Sequence, residues 1–274
     1  MRLGVPGVAI DVQDMEYGLF RKKVMQAVGI DLGCYKENQM KRRLAAALTR
    51  SGHASLFDYW RAMEQDPTLL RDFVDFVTIN VSSFFRNREK FDELARTILP
   101  DLLKVRRSLK VWSAGCSTGQ EPYTIGIVLS ELTPGTAHRI LGTDINVSAL
   151  SLAREAVYTR DDVKEVRSGL VQKYFTVEGD KLKLRDSVRR MVEFRIHNLL
   201  ADAYEEECDL ILCRNVMIYF TEEAKERVFR GFHTSLRPGG VLFIGGTETI
   251  MNASELGFEL VSPFFYRKRP SVVA

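Results

Sequence analysis

The chain has 274 residues, enough for one large domain or two modest ones. Apolar residues make up 45% and charged residues 27%, which excludes a disordered chain, a collagen-like chain and a disulfide-stapled miniprotein. With 39 Lys plus Arg against 36 Asp plus Glu, the net charge of +3 is too small to argue for nucleic-acid binding. The cysteines Cys34, Cys116, Cys208 and Cys213 form no CxxC pair and have no histidine at zinc-finger spacing, so reduced thiols and no metal site are expected. The opening MRLGVPGVAIDVQDMEYGLF lacks the continuous apolar core of a signal peptide, and residues 1–14 suggest no role of their own. No stretch reaches the ~18 apolar residues of a membrane span, and the closing RKRPSVVA carries no prenylation cysteine. A cytoplasmic protein without membrane insertion is the expectation.

The first hundred residues read as helical and charged. A helix over 16–28 ends at Gly29, and a second over 37–50 stops at Gly52. Met40, Leu44, Ala47 and Leu48 form the buried stripe of the second, with Arg42, Arg43 and Arg50 on or beside its opposite face. Ser55-Leu-Phe-Asp58 has the form of an N-terminal cap for a helix over 56–65, and Pro67 opens another to about 77. Together they predict a small helical bundle.

From Lys110 onward the texture alternates. Strands are expected over 110–114, 139–144, 192–196, 209–213 and 241–244, with helices over 121–132, 147–156 and 222–236. Such alternation means βαβ units and a mostly parallel sheet. The tail over 258–268 has no helix before it and should pair antiparallel at the sheet's end. Three short strand-like runs, 173–177, 181–184 and 190–196, with Gly179-Asp180 between the first two, suggest a small antiparallel insertion.

Chemistry concentrates at strand ends. Ser113-Ala-Gly-Cys-Ser-Thr-Gly-Gln-Glu121 puts a glycine turn after the first strand, where backbone can approach a nucleotide-like ligand. Gly115 and Gly119 do not make the G-x-G-x-x-G of dinucleotide sites, and no lysine makes a P-loop. Asp144 ends the second strand, where an acid can accept from both ribose hydroxyls of an adenosine, or else cap the following helix. Asn198 and Asn215 follow two further strands. Either could line the same crevice or serve as a turn amide.

Ser113 to Tyr123, Cys213-Arg-Asn-Val-Met-Ile-Tyr-Phe220 and Thr78-Ile-Asn-Val-Ser-Ser-Phe-Phe-Arg86 together resemble the CheR family of chemotaxis protein methyltransferases, over about residues 15–268. The resemblance implies an α/β chain. Its N-terminal helical domain (1–77) would dock the receptor. A linker (78–100) would lead to a Rossmann-like S-adenosylmethionine-dependent methyltransferase domain (101–274), with a β-subdomain insertion at about 173–196. The implied reaction is methylation of chemoreceptor glutamates to 5-O-methyl esters for sensory adaptation, leaving S-adenosylhomocysteine. Carried over residue by residue, Asn80, Ser82, Arg86, Gly115, Glu121, Asp144, Asn198, Leu199, Asn215 and Val216 are implied cofactor residues. Arg86 and Tyr219 are implied at the catalytic pocket. Ser82 stands where threonine is common in the family, and the hydroxyl survives.

Residues 36–50 set five cations against Glu37 alone, so Arg42, Arg43 and Arg50 are expected to steer the receptor's methylation helices. The compact Thr176–Lys181 stretch lacks the longer loop of members that bind a receptor pentapeptide tether, so tether-independent binding is expected. A monomer is the default expectation. A catalytically silent sensor or scaffold of the same fold is the alternative, disfavoured by the intact Asp144, Arg86 and Tyr219. A nucleic-acid methyltransferase would need a base pocket and a broad basic surface, and Arg214-Asn-Val-Met217 supplies neither proline nor an aromatic.

Overall fold

A computed structural model describes residues 14–269. The chain forms two compact units, one of residues up to 79 with Tyr219–Ala224, the other of Asn80–Ile218 with residues from Lys225 onward. The readings made above for residues 1–13 and 270–274 lie outside the described residues. No described helix is long and apolar enough to cross a membrane.

The first unit is built from α1 (Asp14–Val28), α2 (Glu37–Ser51), α3 (Leu56–Gln65) and α4 (Pro67–Val77). The four-residue stripe expected on α2 is the set it buries, and Gly52 closes the helix at φ 73°, its N–H bonded to the Leu48 carbonyl. Ser55 caps α3 by accepting from the Asp58 N–H at 3.1 Å, and Asp66 caps α4 by accepting from Thr68 at 2.8 Å. Phe20 meets Trp60 and Phe73 edge-to-face at 6.0 and 5.6 Å, and Tyr59 meets Phe73 at 5.9 Å. Three of the helices, α1, α3 and α4, thus close on one aromatic centre.

The second unit opens on an irregular stretch and a nearly continuous helical run: α5 (Arg88–Glu93), a π-helical turn (Leu94–Ile98) and α6 (Leu99–Val105). The expected linker over 78–100 is therefore helical from Arg88. Then come β1 (Lys110–Ala114), α7 (Gln120–Leu132), β2 (Arg139–Asp144), α8 (Val147–Glu155), β3 (Val157–Tyr158), α9 (Ser168–Tyr174), β4 (Phe175–Glu178), β5 (Lys181–Leu184), α10 (Asp186–Arg189) and β6 (Val192–Ile196). β7 (Cys208–Cys213), α11 (Glu222–Ser235), β8 (Leu236–Ile244), β9 (Phe258–Ser262) and β10 (Phe265–Lys268) complete the chain. The main sheet has seven strands in the order β6-β2-β1-β7-β8-β10-β9, and a separate three-stranded sheet has the order β3-β5-β4. The first five strands of the main sheet run parallel, and β10 pairs antiparallel to β8, as expected for the tail.

Two expectations need correcting. Residues 192–196 do not join the insertion: β6 runs parallel to β2 at the edge of the main sheet, with Phe194 opposite Gly142. Phe194 is buried, its ring 5.4 Å from that of Tyr123 on α7, and this apolar anchor draws the strand to the large core. The third strand of the small sheet is Val157–Tyr158, too short for a periodic signal. Lys173 and Tyr174 end α9, so the hairpin begins only at Phe175.

Behind β1 and β2, His138 is 8% exposed. Its Nδ1 accepts from the Leu109 N–H at 3.1 Å, and Nε2 lies 2.8 Å from the Thr133 hydroxyl. That hydroxyl donates to the Leu129 carbonyl, so Nε2 carries the ring proton. Burial holds the imidazole below its ordinary range, with Asp209 opposing. The neutral ring supports the fold above the unfolded histidine's pKa of about 6.5, and the support is lost as pH falls through that value toward the folded one. Thermal melts should show stability falling between pH 7 and pH 5, with a shallower slope for His138→Gln; parallel slopes would remove His138 from the acid response.

Candidate functional site

β1 lies at the centre of the parallel strands, between β2 and β7. The chain leaves it first on one side and later on the other, and the carboxyl ends at such a switch leave a crevice. The glycine loop closes it from below. Gly115 and Cys116 both donate backbone N–H bonds to the Thr143 carbonyl, at 2.8 and 2.9 Å, and Gly119 donates to Cys116 at 3.0 Å. Gly115 stands at φ +79°, and a Cβ there would fall 2.5 Å from Cγ2 of Val216. The loop therefore passes under the segment after β7 with no space for a side chain.

Asp144 is 9% exposed at the end of β2. Its Oδ2 accepts from the Ser117 N–H at 2.8 Å and its Oδ1 from the Asn146 N–H at 2.9 Å. Burial raises its pKa, and these backbone donors, with that of Ile145, pull it back. The cap of α8 is Asn146, whose side chain accepts from Ala149 at 2.8 Å, so the capping alternative for Asp144 does not hold.

Glu121, in the first turn of α7, takes the Ser113 hydroxyl at 2.7 Å on Oε1 and the Arg214 guanidinium at 3.4 Å on Oε2. Both charges are out of water. Burial pushes Glu121 up and Arg214 down, and each charge moves the other back toward its ordinary range. Arg214 also donates to the Arg86 carbonyl at 2.7 Å and to Asn87 Oδ1 at 2.8 Å, and lies 5.0 and 4.6 Å from the rings of Phe91 and Phe243. Sequence reasoning noted Arg214 only as a polar neighbour of Asn215. Its signal was an arginine directly after the apolar run Leu210–Cys213.

The remaining expected residues divide by unit. Asn80 and Ser82 lie half-buried before a tight turn in which Phe85 and Asn87 take φ of +53° and +61°. The two phenylalanines of that motif are anchors. Phe84 packs against Tyr158 and Phe175 at 4.8 and 5.2 Å, and the Phe85 N–H donates to the Thr124 hydroxyl at 3.2 Å. Arg86 is half-buried and donates to the Val81 carbonyl at 3.1 Å. Asn198 does serve its own turn, its oxygen accepting from Leu200 at 2.9 Å, and Leu199 beside it is buried.

Tyr219, Arg42, Arg43 and Arg50 belong to the first unit. The Tyr219 carbonyl accepts from the Lys36 N–H at 2.9 Å. Arg42 and Arg50 are exposed. Arg43 is turned inward, donating to the Phe76 carbonyl with its guanidinium 5.2 Å from the Phe76 ring, and burial lowers its pKa.

Two comparisons bear on this arrangement. Residues 80–263 match the model of the CheR methyltransferase SAM-binding domain, and residues 15–78 that of the CheR methyltransferase all-alpha domain. The chain belongs to the CheR methyltransferase family. It is 40% identical over 257 residues to a chemotaxis protein methyltransferase of Listeria monocytogenes, covering 93% of this chain and 98% of that one. It is 35% identical to one from Vibrio parahaemolyticus (92% and 95% covered) and 33% identical to one from Borreliella burgdorferi (94% and 96% covered). As a CheR methyltransferase the protein is a protein-glutamate O-methyltransferase that uses S-adenosylmethionine and acts on chemoreceptors. The crevice fits that cofactor: Ser117 Oγ and Asn215 Oδ1 are buried without a hydrogen-bond partner among the described residues, as expected of groups that meet a polar ligand.

The close approach at Gly115 gives a graded test. Gly115→Ala should weaken S-adenosylhomocysteine binding in calorimetry. Gly115→Ala/Val216→Ala should recover part of the loss, because the clash is relieved while the left-handed backbone still costs about 1–2 kcal/mol. Equal affinities in wild type and single variant would mean that the loop does not carry the ligand.

Proposed function

We propose that the crevice at the ends of β1, β2 and β7 holds S-adenosylmethionine, with Asp144 as ribose acceptor. Gly115 and Glu121 would stand on the loop side, Asn198, Leu199, Asn215 and Val216 on the adenine side, and Asn80, Ser82 and Arg86 along the linker. The observation that carries the reading is Asp144: a buried carboxylate, held by two backbone donors, that does not cap the helix after it. The cofactor supplies an electrophilic methyl group on a sulfonium.

The chain's task is alignment rather than proton transfer. A glutamate acceptor, with an ordinary pKa of about 4.3, is already ionised at neutral pH and needs no general base. It must be held in line at roughly 3–3.5 Å contact. Attack neutralises carboxylate and sulfonium together, so excluding water favours the transition state over the separated charges. Arg86 offers a two-pronged fork for a carboxylate, and Tyr219 a hydroxyl that can donate to the attacking glutamate. Asp144→Asn removes charge-assisted acceptance worth about 1.5–3 kcal/mol per bond. Its KM for S-adenosylmethionine should rise roughly 10- to 100-fold with receptor fragment and methyl-labelled donor. Product label should leave as volatile methanol in mild alkali, and removing the receptor's C-terminal pentapeptide should not change the rate. Alkali-stable label would overturn the ester reading; a slower tail-less fragment would overturn tether independence.

On the acceptor side, the helical unit offers the exposed Arg42 and Arg50 to the acidic methylation helices, Arg50 also lying 5.7 Å from the Phe76 ring, whereas Arg43 is committed to both the carbonyl and the ring of Phe76. Arg42→Glu/Arg50→Glu should raise the receptor KM several-fold, more at low salt, with cofactor binding unchanged. Arg43→Glu should lower the unit's stability instead. Receptor kinetics of the double variant that match wild type at low salt would remove this docking face. The protein acts as a cytoplasmic monomer in this reading.

A further inference from the structure

Glu248 lies just beyond β8 in Gly245-Gly-Thr-Glu248 and is 6% exposed. Its Oε2 accepts from the backbone N–H groups of Gly245 at 2.6 Å and Asn215 at 3.0 Å, and its Oε1 from that of Met217 at 2.9 Å. Two of these donors flank Val216, the residue whose Cγ2 sits over Gly115. Asn215 stands at φ +60°, in the left-handed region that asparagine enters more readily than most residues. A Cβ on Gly245 would fall 2.5 Å from Glu248 Oε2 and 2.8 Å from the Asn215 nitrogen, so glycine there keeps the carboxylate within reach of the loop.

We propose that Glu248 is a positioning residue for cofactor binding. Its carboxylate fastens the Asn215–Met217 segment from beneath, and so sets where Val216 closes on Gly115 and where the unpartnered Asn215 Oδ1 points. It touches neither donor nor acceptor and acts only through Asn215 and Val216. The inference rests on the reading of this crevice as the cofactor site.

The test uses the full chain, with S-adenosylhomocysteine in calorimetry and S-adenosylmethionine in steady-state kinetics. Glu248→Gln keeps the size but turns an NH2 toward at least one backbone donor. Its Kd and KM for these ligands should rise about tenfold or more, the effect of losing roughly one charge-assisted bond, while the receptor KM stays at the wild-type value. Thr133→Ala, which removes a His138 partner in the same unit, serves as the control for general destabilisation and should leave both cofactor constants unchanged. Wild-type cofactor constants in Glu248→Gln, or the same rise in Thr133→Ala, would overturn the proposal. Should Glu248→Gln fail to fold, hydrogen exchange on the wild type decides: the Asn215 and Met217 amides should exchange slowly without cofactor, and exchange at the rate of exposed amides would overturn it. A wild type that binds no S-adenosylhomocysteine would overturn the cofactor reading as well, so the two failures are distinguishable.

Discussion

One buried cation, Arg214, ties the second unit together at its crevice. Arg214 is 7% exposed, and its guanidinium reaches the carboxylate of α7, the carbonyl of Arg86 and the side chain of Asn87 between two aromatic faces. Such a group is costly to desolvate and stays charged, so its surroundings must supply acceptors. The acceptors come from the linker turn and from the glycine-loop helix, which are far apart in sequence. Removing one partner of a buried pair of this kind costs about 3–5 kcal/mol, because the other charge is left stranded. The interaction contributes little net stability over an apolar replacement, yet it dictates where the linker turn and Glu121 stand relative to each other.

The same low-dielectric setting explains the carboxylates. Glu121 and Asp144 are both pushed up by burial. A carboxyl whose folded pKa is raised supports the fold below its unfolded pKa, near 4, and loses that support as pH rises through the folded value. At neutral pH these acids therefore oppose folding, and the backbone donors and Arg214 only reduce the cost. Ligand binding to the native state offsets such a deficit by mass action. Strain at Ser117, Asn215, Phe85 and Asn87, all at positive φ, falls in the same segments. Positive φ is not confined to these segments, since Ala156, Glu207, Asn252 and Phe264 adopt it as well.

Much of this was legible in the sequence, for identifiable reasons. The central strands of the parallel sheet carry short apolar cores bounded by polar turns, the α2 stripe follows helical spacing, and Ser55 and Gly52 mark ends with their own chemistry. The resemblance to the family rests on three motifs, and they meet at Arg214, which belongs to one of them and reaches Glu121 and the Arg86 carbonyl of the other two. What escaped the sequence was pairing at long range. β3 has two residues and exists only because β5 offers an edge. Val192–Ile196 alternates as either sheet would require, and burial of Phe194 decides between them. Arg43 looked like its neighbours in a basic run until Phe76 supplied a carbonyl and a ring. No local pattern tells which arginine of a cluster turns inward.

The division of labour follows from the chemistry. An acceptor that arrives ionised asks for no base, and none of the buried acids is placed as one. Ser113 and Arg214 occupy Glu121, and two backbone donors occupy Asp144. Each of these carboxylates holds backbone or a side chain, Asp144 keeping a second lone pair on each oxygen for the proposed ribose, and catalysis is left to geometry. In such an enzyme the residues that decide the rate are those that keep a loop within a fraction of an ångström of its place, because a misplacement of about 1 Å can cost two orders of magnitude. The glycines at 115 and 245 and the buried arginine at 214 matter by that logic: each removes a degree of freedom from the crevice without presenting a reactive group to it.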